Sequence, residues 1–285
     1  MQDFDRHERR MWSGDGVPAA YLRGFAGLCA GAVPALLDRV AAGPGLRLLD
    51  VGTGTGSVAA AALALGATVT AVDGEPQMVK VAAERLPEVP VSHALLPGLP
   101  FADREFDAVT ANFVVNHVAD PVAALAELRR VVRPGGRGAV TLWHGGANRA
   151  MDLFGEVLDA VAVERPLFPS VPVAFERTPE GLAGLLTEAG WQQVEAAELS
   201  WTYRVDPEDW WAGPAGGVAN IGLVVSTQPE SVLAALKRAY DRLVADRLDA
   251  DGRLVLEACA VLASGVRGPA GVRVVGGLPG TQVFG

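Results

Sequence analysis

Leu48-Leu49-Asp50-Val51-Gly52-Thr53-Gly54-Thr55-Gly56, followed downstream by Asp73, is the stretch that decides how this chain folds. The apolar run 46–51, broken by Arg47, reads as a buried parallel strand. The alternating glycines read as a loop, and the Ala/Leu-rich 57–65 as a helix stopped at Gly66. A second strand over 68–72 delivers Asp73. A strand–glycine loop–helix–strand unit of this kind suits an adenosine-type ligand. Backbone without side chains lets the ligand approach, and the carboxylate accepts from its ribose hydroxyls. A dinucleotide fingerprint, Gly-x-Gly-x-x-Gly, would need glycine at position 57, where Ser57 stands. The spacing here is Gly52-x-Gly54-x-Gly56 with Asp50 two residues ahead, which argues against a nicotinamide-dependent oxidoreductase.

In this spacing the chain resembles the class I S-adenosylmethionine-dependent methyltransferases, whose first motif is an acidic residue followed by Gly-x-Gly-x-Gly. The resemblance continues in order. Leu99-Pro100-Phe101-Ala102-Asp103-Arg104-Glu105-Phe106-Asp107 looks like the family's lead into the fourth strand, here 108–112. Asn112-Phe113-Val114-Val115-Asn116-His117-Val118-Ala119-Asp120-Pro121 is similar to the motif after it. A helix over 125–132, the turn Arg133-Pro134-Gly135-Gly136-Arg137-Gly138 and a fifth strand over 139–143 follow. The likeness is densest over 46–144 and continues more weakly through Thr178-Pro179-Glu180 and Gly190-Trp191. It implies an α/β fold: a Rossmann-like, doubly wound, seven-stranded, mostly parallel sheet of order 3-2-1-4-5-7-6, the seventh strand antiparallel, with a helical cap.

With 285 residues and no linker or charge block, the chain reads as one domain over 1–267. A helical cap occupies 1–45, a cofactor-binding core 46–144 and a substrate-side half 145–267, and a loosely held tail follows over 268–285. The cap carries apolar residues at helical spacing over 21–40, interrupted at Pro34. The substrate side holds a helix over 151–163, a sixth strand over 194–205, a seventh over 253–266, and an insertion at 206–251 with one helix over 229–248. Insertions on a rigid sheet usually build the substrate site.

The formal net charge of −9 would repel a polyanion, and no Lys/Arg cluster with interleaved aromatics occurs, so a nucleic-acid substrate is disfavoured. The uncharged stretch 51–72 is long enough to span a bilayer, yet its glycines and turn signature make it a buried strand–loop–helix–strand, and no membrane association is expected. The N-terminus lacks the apolar core of a signal peptide, and two distant cysteines, Cys29 and Cys259, imply neither a disulfide framework nor a metal site. A cytoplasmic protein is expected.

The resemblance implies S-adenosyl-L-methionine as cofactor and a small-molecule acceptor, with secondary metabolites among the candidates, methylated at O, N or C. Around the cofactor it implies Asp50 and the loop Gly52, Thr53, Gly54 and Gly56. It also implies Asp73 on the ribose, Gly74 and Met78 bordering the adenine, and Asn112 and Phe113 facing the reactive methyl. Many relatives carry an acidic residue four positions before the Leu-Pro-Phe run; here that position is Leu95, so Leu95 and Leu96 offer backbone and apolar contact instead. Tyr21 and Trp12 of the cap are candidates to cover the cofactor. His117 stands where relatives have a histidine near the cofactor's carboxylate, and with His144 it is a candidate catalytic residue. His144, just past the fifth strand, is the candidate general base, because histidine changes charge near neutral pH. Trp201, Tyr203, Trp210 and Trp211 read as glue between insertion and sheet ahead of an apolar substrate wall. A non-methylating descendant with a cyclase or structural role is the alternative, and Leu95 is its one hint.

Overall fold

The computed structural model describes residues 2–269, so the expected tail lies almost wholly outside them. Seven strands form one sheet: β1 (Arg47–Val51), β2 (Thr68–Asp73), β3 (Val91–His93), β4 (Phe106–Asn112), β5 (Val132–Trp143), β6 (Gln192–Val205) and β7 (Leu254–Val266). Their order is 3-2-1-4-5-7-6, as the sequence implies. Strands β1 to β5 pair in parallel, whereas β7 lies antiparallel between β5 and β6.

The first strand shows why the sheet is covered on both sides. Successive side chains of a strand point to opposite faces. Leu48 packs with Leu36 and Leu37 of α4 (Val33–Arg39) and with Val58 and Ala62 of α5 (Ser57–Ala64). Leu49 packs on the other face with Leu125 and Leu128 of α7 (Pro121–Val131) and with Leu182 and Leu186 of α9 (Pro179–Glu188). A third cluster joins the cap to the substrate-side helices through Phe25, Leu28, Phe154, Trp210 and Tyr240.

The strand-to-helix turns follow their chemistry. Asp120 caps α7 by accepting from Ala123 N at 2.9 Å, and Pro121 supplies the first-turn φ. Asp120→Ala should therefore cost about 1 kcal/mol of stability, read as a shifted midpoint in urea unfolding. Thr178 caps α9 in the same way.

Three expectations need correction. The cap is not one helix over 21–40. It comprises α1 (Gln2–Trp12), α2 (Val17–Arg23), α3 (Phe25–Ala30) and α4. The chain breaks at Gly24, where a Cβ would stand 2.7 Å from the Asp209 carbonyl oxygen, so close docking of the insertion requires the bend. Strand β5 begins at Val132 because the Arg133–Gly136 turn loops out inside it, the register jumping from Phe106↔Val132 to Ala108↔Arg137. The insertion holds α10 (Pro207–Ala215) and α11 (Ala219–Val225) as well as the expected helix, α12 (Glu230–Ala245). The helix expected over 151–163 is α8 (Asp152–Val161), and α6 (Pro76–Arg85) links β2 to β3.

The aromatic residues of β6 and α10 bind the insertion and cap to the sheet. Trp201 Nε1 donates to the Leu28 carbonyl at 3.1 Å and the Tyr203 hydroxyl to the Gly24 carbonyl at 2.9 Å. Trp210 and Trp211 are buried in the third cluster. No single helix among the described residues is long and apolar enough to cross a membrane.

Candidate functional site

In open α/β sheets, ligands lie beyond the carboxyl ends of the parallel strands. Past β1 the loop turns through Gly52, Gly54 and Gly56 at φ of +67°, +56° and +90°, a region that favours glycine. At Gly52 a side chain would also collide with Val114. The amides of Gly52 and Thr53 both donate to the Val72 carbonyl, at 2.8 and 3.0 Å, which ties the loop to the end of β2.

Asp50 lies beneath this loop and is 1% exposed. Its Oδ2 accepts from the Thr53 hydroxyl at 2.7 Å and its Oδ1 from the Thr110 hydroxyl at 3.0 Å. Burial pushes its carboxyl up to about 7, against the two hydroxyl bonds, which favour the ion. Asp50 thus braces the loop from below, linking β1, β4 and the glycine turn.

Asp73 stands at the end of β2. Its Oδ2 accepts from Gly54 N at 2.7 Å and its Oδ1 from Glu75 N at 2.9 Å. Burial raises its pKa, opposed by those same amides. Each oxygen spends one acceptor site on backbone and keeps another. Gly74 follows, its carbonyl within 3.0 Å of His93 Nε2. A Cβ at Gly74 would meet Leu95, which is 47% exposed, while Leu96 is partly buried. Met78 is buried in the third core cluster, so its side chain packs inward.

At the end of β4, Asn112 is held on both sides. Its Oδ1 accepts from the Thr141 hydroxyl at 2.6 Å, and its Nδ2 donates to the Cys29 carbonyl at 3.2 Å. The amide of Phe113 donates to Thr141 Oγ1 at 3.0 Å. These bonds fix Phe113 at φ +59°, an uncommon conformation for a bulky residue, with its ring stacked on Trp143 at 3.9 Å. Trp201 continues the aromatic row 5.8 Å from Trp143.

The cap closes over this ground. Tyr21 is the nearest group over the open face of Gly54, and its phenol lies near the Cys29 thiol. Burial holds the phenol well above its ordinary pKa and pushes the thiol up to about 11, so both stay protonated at neutral pH. Trp12 packs edge-on against both Tyr21, at 6.0 Å, and His117, at 5.6 Å. His117 lies on the short 3₁₀ turn Val115–His117, and its Nδ1 sits 2.7 Å from Glu8 Oε2 of α1.

His144 is placed differently from what its sequence position suggests. Its Nδ1 accepts from the amides of Gly146 and Ala147, both at 3.1 Å, and its Nε2 faces Glu198 Oε1 at 3.2 Å. With the lone pair spent on the turn, the ring holds the end of β5 and offers no acceptor for a substrate proton. No cluster with metal-ligand chemistry occurs among the described residues. Glu8, Cys29, Thr110 and Thr141 belong to the site without having been expected there. Each meets its partner across more than one element, and no local spacing announces them.

Residues 49–140 match the methyltransferase-domain family. A demethylmenaquinone methyltransferase of Renibacterium salmoninarum is 33% identical over 176 residues, covering 58% of this chain and 74% of that protein. The chain belongs to the class I S-adenosylmethionine-dependent methyltransferases. This methyltransferase is also 36% identical over 169 residues to a demethylmenaquinone methyltransferase of Mycobacterium sp. (strain KMS), covering 55% of the chain and 73% of that protein. Among solved structures, its fold matches YcgJ of Bacillus subtilis with a TM-score of 0.53 at 20% identity, covering 84% of this chain and 99% of that one. It also matches the [4+2]-cyclase SpnF with a TM-score of 0.50 at 20% identity, covering 84% and 81% respectively. At these identities the two likenesses concern the fold alone.

Proposed function

We propose that this methyltransferase moves a methyl group from S-adenosyl-L-methionine to a flat, largely apolar small molecule. The observation that carries the cofactor site is Asp73, whose two oxygens are aimed by the amides of Gly54 and Glu75 and each retain capacity for one ribose hydroxyl. The residues fit the cofactor on other counts. Gly54 presents open backbone beneath Tyr21, and the buried Thr55 Oγ1 has no hydrogen-bond partner among the described residues, leaving a polar atom of the glycine loop for a polar ligand.

When bound, the sulfonium supplies an already activated methyl group. The protein's work is then to align the acceptor and exclude water. Asp73 and the glycine loop orient the donor, Asp50 holds that loop, and the cap residues Tyr21 and Trp12 cover it. Phe113 is buried behind Trp143, and the partly exposed rings of Trp143 and Trp201 offer apolar surface beside which a planar acceptor can lie. The relatives named for a quinone precursor are compatible with such an acceptor, and the formal net charge of −9 weighs against nucleic acid. The free cysteines Cys29 and Cys259 accord with a reducing, cytoplasmic setting.

Isothermal calorimetry with S-adenosylhomocysteine should give a saturable exothermic signal, whereas NAD should give none. Saturable NAD binding in preference to the thioether would overturn the reading.

A further inference from the structure

The chain has four histidines, and their hydrogen bonds sort them. A neutral imidazole carries one N–H and one lone pair, so an oxygen partner on one nitrogen leaves the lone pair on the other. His7 has Asn220 Oδ1 against Nε2 at 2.7 Å, His93 has the Gly74 carbonyl against Nε2, and His144 has Glu198 against Nε2. These three therefore carry the proton on Nε2. His117 is the reverse. Glu8 Oε2 lies against its Nδ1, which places the proton there and the lone pair on Nε2, an atom with no protein partner among the described residues.

We propose that Glu8 and His117 form a proton-accepting dyad assembled across the boundary between cap and core, so that the acceptor methylated here is a hydroxyl compound, a phenol or an enol. The inference rests on the methyltransferase reading above. Three features carry it besides the tautomer. The pair is sheltered, with Glu8 at 14% and His117 at 30% side-chain exposure. The imidazole is fixed by the edge of Trp12 and by its own amide, which donates to the Val114 carbonyl at 2.8 Å. Trp12 in turn packs edge-on against Tyr21, which overlies Gly54, so two aromatic rings link the imidazole to the glycine loop. The other candidates are committed elsewhere: His144 to its turn and Glu198, and Asp120 to the cap of α7, while burial keeps Cys29 and Tyr21 protonated.

In the step itself, the acceptor's O–H proton passes to Nε2 of His117. The oxygen keeps that electron pair and uses it for the new O–C bond, while the donor's S–C bond breaks with its pair remaining on sulfur. The imidazolium that results faces the Glu8 carboxylate, which stabilises it and fixes the ring's orientation. His117 is the catalytic residue and Glu8 a positioning residue contributed by the first helix.

The test uses the full chain in three arms. Long-range ¹⁵N-imidazole NMR should show His117 as the Nδ1–H tautomer, and Glu8→Ala should shift it toward Nε2–H. Calorimetry with S-adenosylhomocysteine should give the same affinity for Glu8→Ala as for the wild type. Turnover against a panel of phenols, hydroxyquinones and secondary amines should favour the hydroxyl compounds. There Glu8→Ala should lower kcat by roughly 10²-fold and His117→Ala by up to about 10⁴-fold, the range for a positioned acid–base group. Glu8→Asp should restore part of the loss. A wild-type Nε2–H tautomer overturns the dyad, as does methylation confined to amines. A Glu8→Ala variant that loses thioether affinity at unchanged kcat also overturns it, showing a clamp on the cap. Failure of the wild type to bind S-adenosylhomocysteine overturns the methyltransferase reading instead, and the tautomer arm separates the two failures.

Discussion

Asp50→Asn is expected to remove a pH-dependent loss of stability on the order of 4 kcal/mol. Burial drives the Asp50 carboxyl from 3.8 up to about 7, so between those values the folded protein holds a proton that the unfolded chain releases. Stability then falls as pH rises through this window, by about 1.4 kcal/mol per unit, and levels off above it. Asparagine cannot ionise, yet it can still accept from one of Thr53 and Thr110 through Oδ1 and donate to the other, whose hydroxyl turns round. Denaturant unfolding of both proteins should give similar stabilities near pH 4. The variant should gain steadily to about pH 7 and hold that gain above it. Parallel curves across this range would show that the buried carboxyl is not what titrates.

Asp73→Ala is expected to weaken S-adenosylhomocysteine binding by roughly 1.5–3 kcal/mol, the usual worth of hydrogen bonds to a charged group. The same substitution strips the amides of Gly54 and Glu75 of their acceptor, so it should also lower stability. Calorimetry on folded protein, with urea midpoints measured in parallel, separates the two effects. Full affinity in a folded Asp73→Ala variant would remove the ribose role. Because burial raises the pKa of Asp73, affinity should fall on acidification as the carboxylate takes up a proton.

The sheet was legible because its chemistry is local. Three glycines held at positive φ and the apolar run before them act within one short stretch of chain, and the acidic residue that meets this loop stands at the end of the very next strand. The caps at Asp120-Pro121 and Thr178-Pro179 were readable for the same reason. Asp206-Pro207 offers that signal again, since Asp206 caps α10 by accepting from Glu208 N at 2.9 Å, but Pro214 inside the helix masks its period. The site was legible only in part. His144 sits where a base would be useful, and its immediate neighbours Gly146 and Ala147 spend its lone pair. Glu8 meets His117 from 109 residues away. The conformation of Phe113 depends on Thr141 of the neighbouring strand, so no pattern along the chain announces it.

The placement of β7 between β5 and β6 also sets an order of events during synthesis. Among the described residues strand β6 pairs only with β7, yet β7 is made after α10, α11 and α12 have emerged. Until Leu254–Val266 arrives, β5 lacks its antiparallel neighbour and β6 has no sheet to join. A nascent chain can therefore pair β1 to β5 on its own schedule, while β6 with Trp201 waits for β7. Unpaired strand edges invite association with other chains. Between making β6 and making β7, the edges of β5 and β6 that β7 later covers are unpaired.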